Sequence, residues 1–439
     1  MTINRPQYVN WLLRHRGNGQ VKVVTGLRRC GKSFLLFTLF RDRLLADGVP
    51  VDHIVGLSLD DDENRALRNP IRLGEWLRAR IVDSKRYTIL LDEIQFCRKV
   101  RNPDIDPKDV APDERDDLFV TFHDVLNGLI RRPNVDVYVT GSNSKMLSSD
   151  VATEFRGRGD VLEMHPLSFA EFCSVREGPP SAAFDEYLAW GGLPLAVLAA
   201  TPAEKESYLA GLFRSVYLAD IVERHRLQDD FLLGHLVNLL ASAVGSLTNP
   251  SRIVDSLRSV LKVETNVPTV QRNLGYLEEA FLFRKALRYD VRGRQYLDYP
   301  MKWYAEDTGV RNAVLSFRQQ EPTYLMENAV YNELRRRGWQ VDVGVVDVTD
   351  TIGGVQTKRR REIDFVVNRG SDRVYVQSAF RMETPEKRKQ ETKSLLHSGD
   401  FFRKVVVTAG SAAPWSDENG IVTVGVVPFL LDPSAVPGL

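Results

Sequence analysis

Residues 26–34 read Gly-Leu-Arg-Arg-Cys-Gly-Lys-Ser-Phe, directly after the run Val-Lys-Val-Val-Thr. The spacing G-x-x-x-x-G-K-[ST] is that of a phosphate-binding loop. Gly26 and Gly31 admit backbone angles that a side chain would obstruct. The backbone N–H groups from Leu27, Arg28, Arg29 and Cys30 to Phe34, at the head of the next helix, form a cradle for phosphate oxygens. Lys32 can then reach the β- and γ-phosphates, and the Ser33 hydroxyl can ligate magnesium. The chemistry is that of a nucleoside triphosphate, with ATP and Mg2+ as the expected ligands.

The motif needs a strand before it and a helix after it. Val21 to Thr25 reads as a short buried strand and Ser33 to Leu45 as the helix. A second buried strand should end in acid, and Tyr87-Thr-Ile-Leu-Leu-Asp-Glu93 supplies it. Asp92 would hold magnesium, and the adjacent Glu93 would polarise the attacking water. A third strand, Val135 to Thr140, runs into Gly-Ser-Asn-Ser144. Ser142 and Asn143 there could sense the γ-phosphate, or simply form a polar turn. Arg156 and Arg158 precede a fifth expected strand; either could neutralise transition-state charge, or be a surface arginine. The acidic run Asp-Asp-Asp-Glu from Asp60 reads as a solvated turn.

The bulk numbers set bounds. A chain of 439 residues exceeds one ordinary core, so two or three domains are expected. Lys plus Arg (59) balances Asp plus Glu (58), so any nucleic-acid contact must come from local patches. The three cysteines, Cys30, Cys97 and Cys173, have no metal-site or disulfide-framework spacing. No apolar run is long enough to cross a bilayer, and no signal peptide opens the chain, so the expected location is the cytoplasm.

Taken in order, GLRRCGKS, ILLDEIQ, VTGSNSKML, GRGDVLEMHPLSFAEF and WGGLP resemble prokaryotic AAA+ superfamily ATPases that carry a C-terminal domain of unknown function. The resemblance implies an additional-strand (ASCE/AAA-type) core, with a sensor strand between the phosphate-loop strand and the acidic strand. It also implies an arginine finger, for which Arg156 and Arg158 are alternatives. The polar insertion Arg98 to Asp117 departs from the pattern and reads as a mobile loop near the nucleotide edge.

From Phe184 to Leu240 the pattern is helical, broken at Trp190-Gly-Gly-Leu-Pro194. Arg252 to Leu261 and Thr269 to Glu279 then read as two helices, the second capped by Thr269. Leu282 to Tyr289 and Arg294 to Asp298 read as a hairpin, completing the outline of a winged helix. Gln271, Arg272 and Asn273 would face a major groove, and Arg292 and Arg294 would reach phosphates. The same module could serve domain packing alone.

The last section runs helix (from Met326), strand (Gln340 to Val346), basic turn (Lys358 to Arg361), strand with Asp364, hairpin, and strand Val374 to Ala379. This order resembles the PD-(D/E)xK nucleases and implies a metal site. Asp364 stands in the first acidic place, and Glu327 or Glu333 would supply the helix carboxylate. The E-x-K positions read Gln377-Ser378-Ala379, which removes one anionic ligand and the proton-handling lysine. A degenerate binding or assembly domain is expected, with Arg335 to Arg337 and Lys358 to Arg361 as basic clusters.

The resulting expectation is an α/β protein in three parts. Residues 1–175 form a P-loop ATPase domain with a parallel sheet, residues 176–315 a helical section with a winged helix, and residues 316–439 a restriction-endonuclease-like domain. Its function would be Mg-dependent ATP binding and hydrolysis driving a DNA-associated process. The alternatives are a nucleotide-dependent protein switch, with a protein partner and oligomerisation open, and an ATP-gated nuclease, which Gln377 and Ala379 disfavour.

Overall fold

Alternating apolar runs and polar turns up to residue 164 build one parallel sheet. In the computed structural model, which describes residues 2–110, 115–142, 159–227, 230–352 and 355–439, the chain divides into two compact units, Thr2–Met164 and His165–Leu439. The first unit carries β1 (Val21–Thr25), β2 (Ile54–Ser58), β3 (Tyr87–Asp92), the short pair β4 (Val100–Arg101) and β5 (Phe119–Val120), β6 (Val135–Gly141) and β7 (Gly159–Glu163). The main sheet has the order β2-β3-β6-β1-β7, all parallel. The sensor strand β6 thus lies between β1 and β3, as the resemblance implies.

β1, β3 and β6 are buried along their whole length. A central strand covered on both faces needs apolar side chains, and each of these supplies them. Lys22 on β1 and Asp136 on β6 are charged exceptions along these strands. The Lys22 ammonium is buried against Asp136, and Tyr138 Oη also donates to Asp136, at 2.8 Å. The register sets Thr25 opposite Gly141 and Glu163, and Ser58 opposite Asp92. All the strand C-termini therefore meet at one sheet edge, where ligands bind in open parallel sheets. The polar insertion is framed by the β4–β5 pairing, which the sequence reading did not anticipate.

In the second unit, helices Pro180–Trp190, Pro194–Leu198, Pro202–Leu212, Ala219–His225 and Phe231–Ser242 precede Pro250–Leu261 and Val267–Glu279. An eight-stranded sheet follows: β8 (Phe283–Asp290), β9 (Gln295–Ala305), β10 (Gln340–Ile352), β11 (Val355–Arg369), β12 (Asp372–Ala379), β13 (Arg403–Thr408), β14 (Trp415–Ser416) and β15 (Val422–Gly425). Its order is β14-β15-β13-β12-β11-β10-β8-β9. The β8–β9 hairpin is thus the rim of this sheet, joined to it where Arg288 to Asp290 pair with Val343 to Val345.

Three local expectations are corrected. The Val267–Glu279 helix is capped by Asn266, whose side chain accepts from Thr269 N at 2.9 Å. Asn273 is buried and donates back to Thr269 O at 2.9 Å, so it faces no groove. Lys358 to Arg361 lie within β11, paired across to β10, and not in a turn.

The helix Thr308–Val314 is buried among the helical segments. Its cap, Asp307, accepts from Val310 N at 2.9 Å and from Gly192 N at 2.7 Å. Asn312 Nδ2 donates to the carbonyls of Leu188 and Ala189, at 3.0 and 2.9 Å. Arg311 Nε donates to Ala241 O at 2.7 Å. The break at Trp190–Pro194 is therefore held by side chains more than a hundred residues later. Gly191 has φ +71°, and a Cβ there would collide with the Asp307 carboxylate. Burial pushes the Asp307 carboxyl up to about 6, against the backbone donors that favour its charge.

Asp307→Ala should destabilise the unit by about 3 kcal/mol, because two buried N–H groups lose their acceptor. Asp307→Asn keeps an acceptor and removes the titration. The folded state holds the Asp307 proton more tightly than the unfolded state, so wild-type stability should fall as pH rises from about 4 to 6. Relative to Asp307→Asn, that loss is about 1.4 kcal/mol per pH unit. Urea midpoints of the two proteins across this window check it; parallel curves would contradict the buried titration.

Candidate active site

The phosphate loop leaves β1 at Gly26, whose φ is +140°, and closes at Gly31, whose φ is +104°. A Cβ on Gly26 would penetrate the carbonyl oxygen of Met164, so the loop hugs the end of β7 as only glycine allows. Met164 N donates to Thr25 O at 2.7 Å, and Cys30 Sγ donates to Met164 O at 3.4 Å. Leu27 and Cys30 are buried, while Arg29 adopts the left-handed region at φ +65°. The loop is rigidly seated by its apolar members, and its polar members remain at the edge.

Gly31 heads the helical run Lys32–Phe34, Leu35–Phe40 and Arg41–Ala46, whose middle portion has π geometry. The first amides of such a run lack intrahelical acceptors and carry the positive end of the dipole. Lys32 is buried, its ammonium donating to Gly26 O and Leu27 O, both at 3.0 Å. Ser33 and Phe34 are exposed.

Asp92 is buried at the end of β3, and its Oδ1 accepts from Thr140 Oγ1 on β6. The same Thr140 oxygen accepts from Glu93 N at 2.9 Å. Glu93 sits in the left-handed region, φ +50° and ψ +51°. For a non-glycine residue this conformation costs about 1–2 kcal/mol, and such strain clusters at functional sites. It turns the chain sharply after Asp92, which is how adjacent residues of a strand end can both serve one edge.

Two residues that sequence reasoning passed over complete the constellation. Gln95 Nε2 donates to Glu93 Oε2 and, at 3.3 Å, to Ser142 Oγ. Arg28 Nε donates to the same Ser142 oxygen at 3.2 Å. A polar chain thus runs from the loop through Ser142 and Gln95 to Glu93. The pairing of β3 with β6 sets Thr140 beside the two acids, and the left-handed turn at Glu93 brings Gln95 back to it. Ser58 Oγ also links Asp60, at 2.6 Å, with Asp92, at 3.4 Å, so the first residue of the acidic turn borders the site. Asn143, Arg156 and Arg158 lie outside the described residues.

Glu327, on the helix Pro322–Arg336, and Asp364, on β11, come together, each within ion-pair distance of Lys302. Glu333 does not join them. It is held by Arg336 and Arg337 at 2.5 and 2.7 Å. Those two arginines of the expected basic cluster therefore face an internal carboxylate.

No helix among the described residues is long and apolar enough to cross a membrane. The family model "AAA domain" matches residues 18–173, and "Domain of unknown function (DUF8612)" matches residues 181–321, the middle of the chain. An uncharacterized protein of Haemophilus influenzae is 32% identical over 435 residues, covering 98% of both chains. An uncharacterized protein of Methanocaldococcus jannaschii is 23% identical over 390 residues, covering 84% of this chain and 77% of its own. The structure of AMPPCP-bound DnaA from Aquifex aeolicus is 16% identical over 63% of this chain and 88% of its own, with a TM-score of 0.30, too low to bear on function. With its phosphate loop, its acidic strand and a relative alike from end to end, the chain belongs to the AAA-domain family of P-loop ATPases.

Proposed function

We propose that the chain is a magnesium-dependent ATPase whose turnover drives conformational change in a DNA-associated process in the cytoplasm. Its working parts are residues 1–175, 176–315 and 316–439. One observation carries the ATPase reading: Thr140 bonds both Asp92 and the backbone of Glu93 at the sheet edge where the phosphate loop also ends.

In this reading the loop amides and Lys32 hold the triphosphate. Ser33 and Asp92 would ligate Mg2+, which supplies charge neutralisation across the β- and γ-phosphates. The donor set suits that ion, since a hydroxyl and a carboxylate are hard oxygen ligands. Glu93 takes the proton of the attacking water, and Gln95 fixes the carboxylate's orientation. Asn143 senses the γ-phosphate, and Arg156 or Arg158 neutralises developing charge. If that arginine serves a neighbouring copy, the working form is an oligomer.

The DNA reading rests on Gln271 and Arg272, exposed on the Val267–Glu279 helix, and on Arg292 and Arg294, exposed at the β8–β9 turn. A second reading, a nucleotide-dependent protein switch, is favoured by the internal use of basic charge. Arg336 and Arg337 contact Glu333, and Lys358 and Arg360 lie 2.8 and 3.7 Å from Asp347.

Lys32→Ala should weaken binding of a fluorescent ATP analogue at least tenfold; unchanged affinity would place the phosphates elsewhere. Glu93→Gln should bind ATP as the parent does, with kcat reduced about 100-fold, in line with loss of a general base. Gln95→Ala should lower kcat about tenfold at constant KM, whereas a rise in KM alone would make Gln95 a binding residue. Duplex DNA should stimulate turnover. Arg272→Ala with Arg292→Ala should flatten the salt dependence of DNA binding by about two units of log–log slope. No stimulation and no salt-dependent binding would favour the protein switch.

A further inference from the structure

The PD-(D/E)xK arrangement implies a divalent ion held by a helix carboxylate and strand carboxylates. Here the residues that would surround such an ion do not fit it. Glu327 comes from the helix Pro322–Arg336, and Glu362 and Asp364 from β11, two residues apart and so on one face. On β12 the next ligand position is Gln377, a neutral amide whose Oε1 accepts from Asp364 N at 3.4 Å and whose Nε2 reaches Glu391 at 3.5 Å. Ala379 offers no polar atom.

Lys302 of β9 reaches all three carboxylates. Its Nζ lies 2.6 Å from Glu362 Oε1, 2.9 Å from Glu327 Oε1 and 3.8 Å from Asp364 Oδ1. An ammonium has three donors; here three carboxyl groups surround it, Glu362 and Glu327 within hydrogen-bond distance and Asp364 farther off. Tyr304, two residues on and on the same face of β9, donates to Glu327 Oε1 at 2.7 Å. Ser378 N donates to Asp364 Oδ2 at 2.9 Å. Lys302, Glu327 and Asp364 are all buried; the lysine is 4% exposed.

We propose that the Lys302 ammonium permanently occupies the place of the divalent ion, making this a metal-free, charge-locked centre that braces β9 against β11 and the Pro322–Arg336 helix. A second cation would have to share the same oxygens with a buried positive charge, a few ångströms away in a medium that screens poorly. The substitutions on β12 suit this arrangement. A glutamate at position 377 would add a further carboxylate beside three that already share one ammonium. A second lysine at position 379 would compete for the same carboxylates. Gln377 and Ala379 are thus the residues expected beside a cation that is already built in.

The test is Mn2+ binding to the full chain without nucleotide, followed by the loss of the free-ion EPR signal. Wild type and Asp364→Asn should give superimposable isotherms, and neither should nick supercoiled plasmid in Mn2+. Lys302→Met removes the charge and retains most of the volume. It should gain one Mn2+ per chain, at least tenfold tighter than any wild-type binding, and lose it again when combined with Asp364→Asn. Wild-type binding or nicking that Asp364→Asn abolishes would overturn the proposal. So would a folded Lys302→Met protein with no new site. Should Lys302→Met fail to fold, Lys302→Arg keeps the charge and must remain without Mn2+ affinity, and the wild-type comparison still decides.

Discussion

The Thr140 hydroxyl is the point on which the geometry of the nucleotide edge depends. It donates to the Asp92 carboxylate and accepts from the Glu93 amide. Each bond needs the other, because the left-handed turn at Glu93 is unfavourable unless something holds it. The hydroxyl is available only because β6 lies beside β3, with Leu91 opposite Val139. A slip of one residue would turn Thr140 to the other face and leave both acids without their orienting group. The phosphate loop reaches the same edge because β1 is the other neighbour of β6.

Buried polar groups recur wherever the fold must choose one register. Lys22 and Asp136 join β1 to β6. Asp307 joins the Gly192 break to the helix that follows the β8–β9 hairpin. Lys302 joins β9 to β11 and the Pro322–Arg336 helix. Removing charges from water is expensive, so such pairs are poor sources of net stability. Their effect is conditional: a displaced strand would leave them buried and unpaired, which is much worse than either state with partners. Apolar runs such as Val-Lys-Val-Val-Thr and Val-Asp-Val-Tyr-Val can pair in several registers by hydrophobicity alone, and the single charge in each selects one.

Much of the first unit was legible because its signals are local. The glycine spacing of the phosphate loop, the apolar strand ending in Asp-Glu and the following Thr-Gly-Ser each report on a backbone shape a few residues long. The resemblance supplied the strand order, which no local signal contains. Legibility fell where an exposed-looking residue turned inward. Asn273 reads as a groove residue but bonds its own helix, and Arg336 and Arg337 read as a basic patch but face Glu333. Helix position alone does not tell which polar side chain finds a buried partner.

Residue types and short spacings alone identify a triphosphate-type loop, an acidic strand to face it, and a nuclease-like order lacking its usual third ligand and lysine. These are properties of residue type and short spacing, where sterics and charge act within a few bonds. The folded chain adds that Gln95 and Ser142 tie Glu93 to the loop, that Glu327 and not Glu333 meets Asp364, and that Lys302 stands among them. Those contacts join residues 25 to 114 positions apart through strand pairing and helix packing, or, for Gln95, through a turn whose direction Thr140 sets from another strand. A side chain's partner across a sheet depends on which strands are neighbours, and that is settled by burial of the whole surface.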